Sequence, residues 1–200
     1  MVLSVDPVRG DEKPPERPGI GAIYLLLNPG AQADLKLDSE QVARASALAP
    51  RLQIRQNQLF LKLEGLVGDE RTRKKSELSA VLDGEAGEAY ADLLRPEQLE
   101  RFTQIDLQRR GASAWLEPRL AQSLELTSEQ SAKLVKILNQ AMVRRREAQS
   151  NTRGNRRATT EKIEAIRVDT DAQAVALLTS SQVEIWKKLI GEPFTYQDHR

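Results

Sequence analysis

Four times in this 200-residue chain a leading leucine and a glutamine recur at one spacing: LDSEQ (Leu37–Gln41), LRPEQ (Leu94–Gln98), LTSEQ (Leu126–Gln130) and LTSSQ (Leu178–Gln182). Each reads as a helix start. Asp38, Thr127 and Thr179 are good N-caps, and Gln41, Gln130 and Gln182 stand where a side chain can return to the cap N–H. Arg95 is a poor cap, but Pro96 behind it sits at the first helical position, where its missing N–H costs nothing, and Gln98 completes the pattern. The leading leucine has an apolar partner five residues on in three copies (Val42, Leu99, Val183), a hydrophobic staple that Ser131 breaks in the remaining one. Four residues past each glutamine stand Ala45, Phe102, Leu134 and Trp186, and seven past stand Leu48, Ile105, Ile137 and Leu189, one apolar helix face each time. The glutamines are 57, 32 and 52 residues apart, which excludes a solenoid of one fixed period.

The apolar spacing between these starts predicts an all-α fold, an irregular bundle of bent or broken helical hairpins. Leu48 to Leu66 carry a first helix to about Gly65 or Gly68, and Leu78 to Leu93 a second. A third runs from Pro96 to about Arg110, stopped by Gly111; Trp115 to Leu120 give one or two bridging turns. The helix after LTSEQ reaches about Gln149, residues 150–155 form a turn, and Ile163 to Leu177 supply a broken helix before the last start. Ala22–Leu27 (AIYLLL) is the one strand candidate, and a strand without a partner makes no sheet. The expected organisation is a flexible Pro-rich tether over 1–20, a single helical domain over 21–195 and a loose tail over 196–200.

Composition removes most chemistries. Without cysteine there are no disulfides, thiolate metal sites or thiol catalysis, and the one histidine, His199, lies in the tail, so no zinc site or triad is expected. Gly19-Ile20-Gly21 lacks the third glycine and the preceding strand of a dinucleotide fingerprint, and no phosphate-binding loop occurs. Carboxylates such as Glu97, Glu100 and Asp106 stand among charged neighbours and read as solvated helix surface. No catalytic, metal or cofactor residue is assigned. Thirty basic against 29 acidic residues, with only two Trp, three Tyr and three Phe, disfavour a nucleic-acid platform. No apolar run approaches a membrane span. As written the chain reads as cytoplasmic; MVLSV before a Pro-rich stretch also reads as the end of an export signal, which would make it periplasmic.

Two groups remain as candidate contact residues. Arg144, Arg145, Arg146, Arg153, Arg156 and Arg157 fall within fourteen residues, with Glu147 as the only opposing charge, and would form a positive hairpin tip. Trp115 and Trp186 read as interhelix anchors or, alternatively, as groove residues.

The LTSEQ and LTSSQ openings, with LDSEQ and LRPEQ as variants, resemble the LTxxQ motif of the Spy/CpxP-like family of bacterial envelope stress proteins. The segment from Leu93–Gly111 through the Leu124–Leu138 region looks even closer to uncharacterised planctomycete-type relatives of that family. The resemblance places Thr127 with Gln130, and Thr179 with Gln182, on the motif's Thr and Gln, while Asp38 and Arg95 replace the Thr. It implies long helices in bent hairpins, often dimerised into a cradle, and an ATP-independent chaperone or a regulatory partner of envelope stress systems. Metal-binding relatives carry His- or Cys-bearing tails that this chain lacks.

The expectation is therefore a non-enzymatic interaction protein acting on a protein partner or unfolded client, as a monomer or homodimer. The alternatives are an enzyme built from dispersed carboxylates and a nucleic-acid-associated protein using the arginine tip.

Overall fold

The computed structural model describes residues 17–151 and 155–195, which are helical with no strand among them. In order they form α1 (Ile23–Leu26), α2 (Pro29–Asp34), α3 (Ser39–Phe60), α4 (Gly68–Leu93), α5 (Pro96–Arg110), α6 (Pro118–Ser123), α7 (Ser128–Asn151), α8 (Arg156–Val175) and α9 (Ser180–Ile190). Short 3₁₀ segments cover Ile20–Ala22, Leu61–Leu63 and Gly111–Leu116.

The helices form two halves built alike. α1 to α5 correspond to the Gly111–Leu116 segment and α6 to α9, at an offset of 89 residues up to the first long helix (Gln41 to Gln130) and 84 beyond it (Gln98 to Gln182). The change in offset reflects a first hairpin, α3–α4, longer than its counterpart, α7–α8. In each half a six-residue helix with proline at its start, α2 or α6, leads into the capped long helix. Buried positions match: Leu26 with Trp115, Leu35 with Leu124, Ala45 with Leu134, Leu52 with Ala141, Tyr90 with Ala174. Ion pairs match too. Arg55 reaches Glu85 across the first hairpin at 2.7 Å, and Arg144 reaches Asp169 at the same register of the second at 2.6 Å.

Each half has its own core. In the first, Ile23, Leu25, Leu26, Leu52 and Leu93 surround Tyr90 and Phe102, whose rings meet edge to face at 5.1 Å. In the second, Leu107, Leu120, Leu124 and Leu134 surround Trp115 and Trp186, edge to face at 5.4 Å. Such ring pairs add to area burial through their complementary quadrupoles. Leu59, Leu63, Leu78 and Leu82 form a satellite cluster on the first hairpin.

The joint between halves is made by equivalent helices, α5 packing on α9. Gln108 on α5 donates to the Ile190 and Glu192 carbonyls at 2.6 and 2.8 Å and accepts from the Phe194 N–H at 2.8 Å. Arg101 donates to the Glu192 carbonyl while pairing with Asp34 at 2.6 Å. The Phe194 ring lies against the first core.

Several expectations are corrected. Ala22–Leu27 is not a strand: Ala22, Ile23, Leu25 and Leu26 are buried and Tyr24 between them is exposed, a helical spacing of inward positions rather than alternation. The first long helix ends at Phe60, and α4 begins at Gly68, well before Leu78, because its polar opening GDERTRKKSE extends the helix without apolar marks. α8 is continuous from Arg156 to Val175, its start capped by the Asn155 side chain accepting from Ala158 N–H at 3.0 Å. The end of the stretch expected as a tether is also packed. Pro18 is buried, Ile20 N–H donates to Asp83 at 2.9 Å, and the Tyr90 hydroxyl donates to the Gly19 and Ile20 carbonyls. His199 and Arg153 lie outside the described residues.

Candidate functional site

The four motif glutamines meet in pairs. Gln41 Nε2 donates to Gln98 Oε1 at 2.7 Å and Gln98 Nε2 returns to Gln41 Oε1 at 3.2 Å. Gln130 and Gln182 do the same at 2.8 and 3.1 Å. The remaining amide proton goes to the chain just ahead of the partner's helix: Gln41 to Leu93 O, Gln98 to Leu35 O and Lys36 O, Gln130 to Leu177 O, Gln182 to Glu125 O. Each Oε1 also accepts its own cap N–H, from Asp38, Arg95, Thr127 and Thr179. Every amide thus uses two donor and two acceptor sites, the full capacity of a glutamine side chain.

Two of the receiving carbonyls, those of Lys36 and Glu125, belong to residues in the left-handed region. Lys36 and Glu125, at the same place in the two halves, have φ of 50° and 52°. Each closes the preceding short helix with a pair of back-bonds, Lys36 N–H to Ala33 O and Leu37 N–H to Gln32 O, then Glu125 N–H to Gln122 O and Leu126 N–H to Ala121 O. That is a left-handed helix stop ordinarily occupied by glycine. Asp38, Thr127 and Thr179 accept from their glutamine N–H groups at 2.9, 3.1 and 3.3 Å. Arg95 has no acceptor atom, so its box is half made, with Pro96 at the first helical position. The motif residues are structural nodes.

The candidate contact residues divide. Trp115 and Trp186 are 2% and 8% exposed, so their rings are core and not groove lining. Arg144 is drawn into the α7–α8 seam by Asp169. Arg145, Arg146, Arg156 and Arg157 are exposed, but Arg157 pairs with Glu161 at 2.9 Å and Arg145 lies close enough to Glu164 to help hold its carboxyl below the usual range, after the larger effect of Arg167. Acidic residues of α8, absent from the arginine tract itself, therefore oppose the charge.

The carboxylate Asp106 is buried, not solvated as its neighbours in sequence suggested. It stands four residues after Phe102, on the inner face of α5, and helical spacing alone was enough to place it there. Its oxygens accept from Arg109 at 2.6 Å and Arg110 at 3.5 Å, and Arg110 also holds Glu117 at 2.6 Å. Burial, assisted by Asp106 and Asp83, pushes the Tyr90 phenol well above its ordinary range.

This cluster forms one wall of a cleft of about 950 Å³. α4 contributes Ser76, Ser79, Asp83, Gly84 and Glu88 to its lining, and the segment through Arg17, Gly19 and Gly21 lies against α4 at Asp83 and Gly87. The sequence offers Gly19, Gly21 and Asp106 here without any sign that they meet; a further signal is a pair of glycines, Gly84 and Gly87, inside a long helix. Among the described residues no cluster of three or more His, Cys, Asp or Glu is arranged to hold a metal, and no helix is long and apolar enough to cross a membrane. No protein-family model, curated protein or solved structure matches the chain.

Proposed function

We propose that this chain is a non-enzymatic helical interaction protein that holds an unfolded client or a protein partner against its two hairpin arms, in the manner of an ATP-independent chaperone. The observation that carries this reading is the equivalence of Ile54 and Val143. Each stands thirteen residues past its half's first motif glutamine, on a long helix, and they are 57% and 52% exposed. Packing within the halves gives no reason for either to be apolar. Leu61, Val135, Met142, Val168 and Val175 extend the exposed apolar surface along the same arms. Two equivalent arms presenting apolar side chains would let one chain engage a flexible client at two points, and linked contacts raise avidity without new chemistry. The LTxxQ resemblance supports the same reading.

The test is suppression of aggregation of several unrelated unfolding proteins, at low and high salt. Apolar capture persists in salt, whereas any contribution from Arg145 and Arg146 weakens. Ile54→Ser with Val143→Ser should reduce suppression more than either change alone. If a tenfold excess of the parent slows no client, the chaperone reading fails.

A further inference from the structure

We infer that the cleft between α4 and the α5–α6 corner is a binding groove for an extended, mixed-charge peptide segment of a partner protein. This goes beyond the proposed function, which concerns the arms. The inference begins with Gly84. A glycine inside a helix costs about 1 kcal/mol relative to alanine, and α4 holds two. Gly87 has a packing reason, because a Cβ there would fall 2.9 Å from the Cβ of Arg17 in the crossing segment. Gly84 has none: its φ is not in the left-handed region, and a Cβ would meet nothing within 4 Å. It lines the open cleft. The other half does not repeat this hollow. Ser79, Gly84 and Gly87 correspond to Ile163, Val168 and Asp171 on α8, and the Asp171 carboxylate accepts the Ala112 N–H at 3.0 Å. Gly84 thus leaves helix backbone bare where its counterpart, Val168, carries a side chain.

The walls say what fits. α4 presents Glu88 and Asp83, whose carboxylate also accepts the Ile20 N–H, with Arg17 lying against Gly87, while the α5–α6 corner carries Arg109, Arg110 and Arg119, with Asp106 and Glu117 engaged by Arg109 and Arg110. The lining is rich in charged side chains of both signs and has no aromatic one, which suits an occupant that carries charges. From Ser76 to Glu88 the α4 wall runs roughly 18 Å at 1.5 Å per helical residue, room for about five residues of extended chain. In an extended chain successive side chains point to opposite sides. A segment alternating basic and acidic residues therefore directs the first toward Asp83 and Glu88 and the second toward the arginine wall, with its backbone against Gly84.

The probe is a fluorescein-labelled Gly-(Lys-Glu)₃ peptide, with Gly-(Lys-Gly)₃ and Gly-(Glu-Gly)₃ as controls, titrated with the full chain by anisotropy. The alternating peptide should bind at least about tenfold tighter than either control and shift the Gly84 amide resonance in an ¹⁵N-correlation spectrum. Gly84→Leu fills the open floor without a clash, so it should keep the helical circular dichroism signal and at least the parent's melting temperature, yet lose about tenfold or more in affinity. Gly84→Ala, a smaller filling, should be stabilised and show a smaller loss. Equal binding of the three peptides, preference for a single-sign peptide, absence of binding, or unchanged affinity in a folded Gly84→Leu variant would each overturn the inference.

Discussion

Gln41 and Gln98, 57 residues apart in the chain, exchange side-chain hydrogen bonds at 2.7 and 3.2 Å in the buried interior of the first half. Gln130 and Gln182 repeat the relationship in the second. A glutamine that begins as a helix-capping residue thereby becomes a cross-link between two helix starts. Removing one partner strands buried amide groups on the other.

Gln98→Leu is expected to destabilise by about 2–4 kcal/mol, since it leaves Gln41 and the Lys36 region with unpaired polar atoms. The double change Gln41→Leu with Gln98→Leu should cost less than the sum of the single changes, with a coupling of roughly 0.5–3 kcal/mol. Urea unfolding of the four proteins measures it. Strict additivity would mean that the amide pair is not an energetic unit.

The capping hydroxyls make a smaller and separable contribution. Thr127→Ala and Thr179→Ala should each lose about 0.5–2 kcal/mol, and Arg95→Ser, which supplies the acceptor Arg95 lacks, should gain stability on the same scale. The exposed pairs of Arg95 with Asp38 and Glu97 offset this by at most about 1 kcal/mol. Chemical denaturation of the three variants decides whether the half-made box is a real deficit.

Lys36→Gly and Glu125→Gly should each stabilise the fold by roughly 1 kcal/mol, because both residues hold a left-handed conformation that an L side chain resists. The two gains should be similar, since the two turns are equivalent. Thermal melts showing a loss at both positions would indicate that side-chain contacts of Lys36 and Glu125 outweigh the backbone strain.

Acid should loosen the contact between α2 and α5. The hydrogen bond from Arg101 holds the Asp34 carboxyl below its ordinary value. A carboxylate depressed in the folded state contributes stability above its unfolded pKa of about 3.9, and this is lost as pH falls through the lower folded value. Asp34→Asn should therefore cost stability at pH 7, and the gap to the parent should shrink as pH falls below about 4. A gap that is constant from pH 7 to pH 2 would show that the ion pair contributes nothing to stability.

Local chemistry made the helix starts readable. Asp38, Thr127 and Thr179 sit within three residues of the groups they cap, so composition and short spacing are enough to place α3, α7 and α9, and Pro96 does the same for α5. The duplication was hidden because its two steps alternate: 57, 32 and 52 residues show no single period, although Gln41 to Gln130 and Gln98 to Gln182 repeat the same architecture. Ala22–Leu27 stood as a strand candidate because a short apolar run carries no decisive period until the burial of Leu25 and Leu26 beside exposed Tyr24 is seen.

What the sequence by itself determined is the set of capped amphipathic helices and the absence of cysteine chemistry, since both depend on residues near each other or on residue types alone. Tertiary structure decided the rest. It chose which glutamine faces which, drew Arg144 out of the arginine tip toward Asp169, and left Gly84 facing open space. These outcomes depend on groups 25 to 57 residues apart, or on a void between helices, and hydrogen-bond satisfaction and close packing act on distance in space, not along the chain.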